Sequence, residues 1–182
     1  FERLPETWTH RVPAQYRDRA PRRIKLADGR DAIIEEGQPL EYRGTNLFAG
    51  KGPENFDPTH LDFERSVGAG SPEQRLQEQD ADGIDGELLF ASEARNPKIQ
   101  DRDAFLAIVQ AFNDYFIEEY CAVDRDRLIG VAVMPDIGAD ENVAEMTRCK
   151  EKGFKAVRLH TFPSGKSFPT PEDDRFWAAA ID

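Results

Sequence analysis

The residues of this chain that carry useful chemistry sit just beyond three short apolar segments. Ser92 follows Gly86–Ala91, Asp136 follows Leu128–Met134, and Arg158 and His160 lie within Phe154–His160. Arg158 and His160 alternate with Val157 and Leu159, so a strand places the two on one face. A guanidinium beside an imidazole can bind a carboxylate in a fork and exchange a proton near neutral pH. The same spacing fits an arginine paired to a carboxylate on a neighbouring element and a histidine hydrogen-bonded within a loop, and both readings stay open. Arg158, His160, Ser92 and Asp136 are therefore candidates for a substrate pocket, with no catalytic role assigned to any of them. Arg95 offers a second fork for a carboxylate.

No metal-ligand set is legible. The chain has three histidines, and His10 and His60 stand apart from His160 and from each other. Neither His-x-His nor His-Glu-x-x-His occurs. Cys121 and Cys149 are far apart and form no Cys-x-x-Cys pair, which argues against a thiolate zinc site and against a disulfide framework. Asp80, Asp82 and Asp85 crowd one helix end and read as a solvated cluster. No Gly-x-Ser-x-Gly elbow marks a serine nucleophile, and no Gly-x-Gly-x-x-Gly or Gly-Lys-Ser/Thr loop marks a nucleotide site.

The elements that must position these residues alternate in type. Ser71-Pro72-Glu73-Gln74 is a helix start, with serine as cap and proline in the first turn. That helix is expected to run to about Asp82 and stop at Gly83. Gly86–Ala91 reads as a buried strand. Asp101 caps a helix expected over residues 101–123, whose Phe105, Ile108, Val109, Phe112, Phe116 and Tyr120 share one face. Leu128–Met134 is apolar throughout and reads as a strand buried on both faces. Ala139–Lys152 is a helix with Val143 and Met146 inward, ended by Gly153. Phe154–His160 is the third strand, and Pro171–Asp182 opens a last helix. Residues 71–182 thus form βα units with a parallel sheet. An open doubly wound sheet and a (β/α)8 barrel both fit, and the missing phosphate loops favour the barrel. A barrel takes about 250 residues, so three strands make an incomplete one.

Residues 1–70 read differently. Prolines and glycines punctuate them, and Arg22–Leu26, Asp31–Glu36 and Leu40–Arg43 read as short strands turning at Asp28-Gly29 and Gly37-Gln38. This is expected to be a small antiparallel insertion followed by a long loop over residues 44–70. The chain opens on Phe1, so further sequence is expected before it.

Composition bounds the partners. The 182 residues carry a net charge of −11, with 39% hydrophobic and 32% charged residues. The one basic cluster, Arg17–Lys25, reads as a solvated linker, so nucleic acid is not an expected partner. No apolar run approaches the roughly 20 residues that span a bilayer. A small-molecule substrate, a reducing cytoplasmic setting and room for a homo-oligomer are the remaining expectations.

Several segments together resemble one family. They are Phe1–Pro5, Tyr16–Arg22, Gln79–Asp85 followed by Leu88-Leu89-Phe90, Asn113-Asp114-Tyr115, Asp126-Arg127-Leu128 before Val133-Met134-Pro135, Gly153–Leu159, and Phe176–Ala180. Their order and spacing resemble the amidohydrolase-2 family, metal-dependent TIM-barrel hydrolases and decarboxylases related to aminocarboxymuconate-semialdehyde decarboxylase. The resemblance implies that this chain supplies about strands two to four of the barrel. It implies a divalent ion, zinc being the expected one, in the intact enzyme. It also implies that the family's ligands fall outside the chain: a histidine pair before Phe1, and a histidine and an aspartate after Asp182. No metal ligand is expected within it, and His160 falls before the usual ligand histidine. The function so implied is a hydrolase or carboxy-lyase acting on a small carboxylate-bearing or aromatic acid. A non-catalytic α/β binding or regulatory subunit is the alternative from another class.

Overall fold

The computed structural model describes residues 6–25, 31–34, 36, 71–90 and 99–181. After two 3-10 segments, Glu6–Arg11 and Ala14–Arg19, the chain forms β1 (Arg22–Lys25), β2 (Asp31–Ile34), α1 (Pro72–Asp82) and β3 (Glu87–Phe90). It continues as α2 (Arg102–Tyr115), β4 (Leu128–Val133), α3 (Ala139–Lys152), β5 (Ala156–Arg158) and α4 (Asp174–Ile181).

Strands β3, β4 and β5 form one parallel sheet in that order, so each helical crossover carries the chain one strand sideways. The ends of α1 follow its sequence signals. Ser71 Oγ accepts the Gln74 N–H at 3.3 Å, and Gly83 takes the left-handed conformation that stops the helix. Arg75 then clasps α1 to β3, donating Nε to Glu87 Oε2 at 2.7 Å and a terminal nitrogen to Oε1 at 2.6 Å. This charge-assisted fork sets the entry into the first parallel strand.

Helix α2 begins as its sequence predicts, with the Asp101 carboxylate accepting the N–H groups of Asp103 and Ala104. It does not run unbroken to residue 123. A π turn occupies Phe116–Tyr120, and a 3-10 turn follows at Cys121–Val123. The apolar spacing explains the change. Phe112, Phe116 and Tyr120 recur every four residues, and a strict 3.6-residue helix would rotate the last of them away from the core. The wider i→i+5 turn keeps all three inward. Phe112 and Phe116 stack at 5.8 Å, Tyr120 follows tilted against Phe116 at 5.9 Å, and Trp8 meets Phe112 edge-on at 5.4 Å.

The strand expected over 154–160 is shorter than its apolar pattern. Only Ala156–Arg158 pairs with β4, while Phe154 lies before the strand and buries its ring against Phe116. Helix α3 ends at Gly153, whose φ of 102° few other residues tolerate, and α4 packs against α3.

In the N-terminal part, β1 and β2 pair antiparallel and stay separate from the parallel sheet. The expected strand Leu40–Arg43, the turns at Asp28-Gly29 and Gly37-Gln38, and the loop over 44–70 lie outside the described residues. The basic cluster is engaged locally. Arg19 bonds Glu36 and Asp101, Arg17 donates to the His10 and Val12 carbonyls, and Arg22 donates to Asp18. Among the described residues no helix is long and apolar enough to cross a membrane.

Candidate active site

Register decides which way the strand side chains point. A Cβ on Gly130 would meet Cys121 Sγ at 3.0 Å and the Phe116 and Phe154 rings at 3.1 Å, so Gly130 faces the helices. Alternation puts Ile129, Val131 and Val133 on the opposite face. Leu88 pairs in register with Ile129, Phe90 with Val131, and Arg158 with Val133, so these share that opposite face. Val157 pairs with Ala132 and packs with Leu159 against the helix-side core. Leu88 and Phe90 are each 57% exposed, whereas Val131 and Val133 on the same face are buried.

Beyond β4 and β5 two loops meet. Met134 N–H donates to the Arg158 carbonyl at 3.0 Å, extending the ladder by one bond. The chain then turns at Pro135-Asp136, and Asp136 adopts a φ of 52°, an uncommon value for a residue other than glycine. Its N–H donates to Asn142 Oδ1 at 2.9 Å, and Asn142 Nδ2 donates to the Pro163 carbonyl at 3.0 Å. One buried side chain from the first turn of α3 therefore ties both strand-end loops together.

Asp136 and His160 meet in this junction. Asp136 Oδ2 accepts the His160 backbone N–H at 2.7 Å and lies 3.1 Å from ring Nδ1. The ring contact is a hydrogen bond whose direction depends on the imidazole tautomer. Both side chains are nearly enclosed, His160 being 12% and Asp136 10% exposed. Nearby, the Ser164 N–H donates to Asp173 Oδ1 at 2.6 Å, and Thr170 N–H donates to Asp173 Oδ2 at 2.6 Å. Four buried side-chain polar atoms lack a hydrogen-bond partner among the described residues. Three of them belong to this junction: Asp136 Oδ1, His160 Nε2 and Ser164 Oγ.

The floor of the junction is a second polar network. Asn113 Oδ1 accepts the Val133 N–H at 3.0 Å, and Asn113 Nδ2 donates to the Val133 carbonyl at 2.9 Å and to Glu145 Oε1 at 2.8 Å. The amide thus pairs the last residue of β4 as a neighbouring strand would. Burial acts to raise the Glu145 carboxyl, but hydrogen bonds from Arg148 and Asn113 outweigh it and hold it below the usual carboxylate range. Both thiols are inert: burial pushes Cys121 up to about 12 and raises Cys149 further, so neither is a thiolate near neutral pH.

Of the four residues proposed from sequence, the structure brings Asp136 and His160 together and leaves Arg158 two residues before His160 on β5. Arg158 already has a partner within the chain. Ser92, like Arg95 and His60, lies outside the described residues. His10 lies in the last turn of the first 3-10 segment and is exposed. Sequence reasoning gave no site role to Asn113, which it read only as part of a family segment, nor to Asn142 or Glu145. The available signal was a polar stripe at helical spacing, Asn142, Glu145 and Cys149, on the face that also carries Met146.

A cleft of about 330 Å³ opens between α3, β5 and α4, lined by Met146, Phe154, Val157 and Ala179 among others. It lies on the helix-facing side of β5 and holds no carboxylate or imidazole, so the strand-end junction is the better candidate for chemistry. Among the described residues no three His, Cys, Asp or Glu side chains gather to hold a metal ion. Asp136 Oδ1 and His160 Nε2 are suitable donor types, but two fall short of the usual four-coordinate shell. The described residues do not complete a metal site.

Comparison with known proteins places the chain. It is 29% identical to 2,6-dihydroxybenzoate decarboxylase from Rhizobium, over 58% of this chain and 34% of that one, with a TM-score of 0.47. A 2,6-dihydroxybenzoate decarboxylase structure complexed with 2,6-dihydroxybenzoate gives 28% identity, the same coverages and a TM-score of 0.48. The alignment therefore spans about a third of the length of these solved chains. No curated protein matches the sequence. The profile of the family described as Amidohydrolase matches residues 6–182, nearly the whole chain. On that match the chain belongs to the amidohydrolase family.

Proposed function

We propose that this chain forms part of a metal-dependent hydrolase or carboxy-lyase acting on a small carboxylate-bearing or aromatic acid. Family membership supports the reaction class, since amidohydrolases of this type are generally metal-dependent. The observation that carries the site is the Asp136–His160 pair at the C-terminal ends of two adjacent parallel strands, with three buried polar atoms left without partners. In parallel α/β folds those strand ends are where substrates bind.

In this reading β3, β4 and β5 are about strands two to four of a (β/α)8 barrel, and the β1–β2 pair belongs to an insertion before them. The face carrying Leu88, Phe90, Val131 and Arg158 is the barrel's inner face. Its exposed apolar side chains are then covered by the remaining staves. Arg158 lies on the inner face toward the mouth, where its planar fork suits a substrate carboxylate. Ser92 stays a candidate in this reading on its sequence position alone. A divalent ion, zinc being the expected one, would be held by residues other than those described and would supply Lewis-acid chemistry there. The chain's own residues bind and orient the acid, and the buried strand ends exclude water. The partner is a small molecule in the cytoplasm, with a homo-oligomer compatible with this arrangement.

The test is a substrate panel. The polypeptide containing this chain is assayed for carbon dioxide release and for hydrolysis, using hydroxylated benzoates, muconate-type acids and their amides and lactones. The reading expects turnover of at least one class, abolished by a chelator and restored by a divalent ion. No turnover in either assay, with the protein folded and metal supplied, would favour the non-catalytic binding subunit.

A further inference from the structure

We propose that His160 is a proton-transfer residue, held by Asp136 with its proton on Nδ1 and its Nε2 lone pair offered to a hydroxyl group or water. This deepens the reading above and rests on it.

Asp136 Oδ2 takes two contacts from His160. The backbone N–H of His160 donates to this oxygen at 2.7 Å, and ring Nδ1 lies 3.1 Å from it. One oxygen thus fixes both the main chain and the imidazole of the same residue. With Nδ1 carrying the proton, Nε2 is an acceptor. The atoms left unpaired at the junction are then two acceptors, His160 Nε2 and Asp136 Oδ1, with the Ser164 hydroxyl. Such a set is suited to a hydrogen-bond donor. A bare anion would meet two acceptors and a nearby negative charge.

Leaving buried polar atoms unmatched is costly, and native proteins do it rarely outside functional sites. The junction is also held against relaxation. Asp136 keeps a left-handed φ of 52°, and its N–H is pinned by Asn142, which also grips the Pro163 carbonyl. A loop free to move would rotate Asp136 or Ser164 to satisfy one of these atoms. Strain and unmatched polarity at one place mark a site built for something other than stability.

The proton step balances. A water or substrate O–H gives its proton to Nε2, and the bonding pair stays on oxygen. His160 becomes an imidazolium protonated on both nitrogens, and the Asp136 carboxylate offsets its charge. Return of the proton to the product restores the neutral ring with Nδ1 still protonated. Asp136 is a positioning residue, since it acts through His160.

Two readouts test this on the protein containing the chain. The first is nitrogen-15 NMR of the imidazoles, assigned with His160→Asn. The expected result is the Nδ1–H tautomer for neutral His160. In Asp136→Asn the amide oxygen can keep both contacts, so the Nδ1–H tautomer is expected to persist while the imidazolium loses its offsetting charge. The second is steady-state turnover of the most active substrate from the panel. His160→Asn should lower kcat at least a hundredfold, with KM, metal content and melting temperature little changed. Asp136→Asn should lower kcat about tenfold or more, and Asp136→Glu should restore part of it. A native Nε2–H tautomer, or a His160→Asn variant that keeps kcat within threefold, overturns the proposal while leaving the family reading intact. Absence of metal-dependent turnover in the native protein overturns both.

Discussion

Replacing Asn113 by alanine tests how the strand-end site is held in place. Asn113 is fully buried in α2, and its amide satisfies both main-chain groups of Val133 while donating to Glu145. Alanine removes all three bonds. Glu145 keeps the fork from Arg148, with two nitrogens at 2.8 Å, so its charge stays compensated. The Val133 N–H and carbonyl lose a partner in a buried position, and each such loss costs about 1–3 kcal/mol. A water entering the vacated space would return some of this, so the net cost is about 2–4 kcal/mol. That is a large part of the roughly 5–15 kcal/mol that stabilises a typical domain. Urea unfolding of the two proteins measures it. Asn113→Asp supplies a second arm. It retains an acceptor for the Val133 N–H but sets a carboxylate against the Val133 carbonyl and Glu145. The new carboxyl's folded pKa is then raised, so the added penalty grows as pH rises above the ordinary carboxylate range and fades below it. A cost under about 1 kcal/mol for alanine, or native stability for the aspartate variant at pH 7, would refute the view that this amide secures the end of β4.

Three further outcomes follow. Arg158→Leu in the intact enzyme should lower kcat/KM by about tenfold to a thousandfold, one charged contact being worth roughly 1.5–3 kcal/mol, with a smaller loss of stability; the reverse pattern in parallel kinetic and melting measurements would make Arg158 a structural residue. Hydrogen bonding from Arg75 holds Glu87 below the usual carboxylate range, so this clasp contributes stability above about pH 4.3 that is lost as pH falls through the lower folded value. Glu87→Gln should therefore flatten the acid end of the stability profile, and an unchanged acid limb would show that the clasp contributes little. Gly130→Ala places a methyl 3.0 Å from Cys121 Sγ and 3.1 Å from two aromatic rings, so overpacking should cost about 1–3 kcal/mol in thermal unfolding, and an unchanged melting temperature would reveal slack in the core.

The alternation of helices and strands was open to reading because its signals are local. Ser71, Asp101, Gly83 and Gly153 mark helix ends through side-chain caps and backbone conformation, which depend on a few neighbouring residues. Parallel pairing of β3, β4 and β5 follows from crossovers that must cover an apolar sheet. The π turn at Phe116–Tyr120 was less accessible, because a four-residue apolar spacing looks helical until ring packing decides the pitch. Strand β5 ended at Arg158, short of the residue 160 that its alternation indicated, because the Asp136 carboxylate takes the His160 N–H. The candidate site was legible in half. His160 and Asp136 could be named from their places after apolar segments, but their contact depends on loop geometry. Asn142 and Asn113, which fix that geometry, act on main-chain groups far away in sequence, and no motif spacing announces such pairings.

Bound metal and the turnover it supports are measurable on the same preparation. The polypeptide containing this chain and the isolated 182-residue segment are each dialysed against a weak chelator and measured for bound metal and for turnover. The account predicts about one divalent ion per active site in the former, with turnover lost on stripping and regained on adding the ion, and no stoichiometric zinc in the latter. Full turnover by metal-stripped protein would contradict it, as would stoichiometric zinc held by the segment alone.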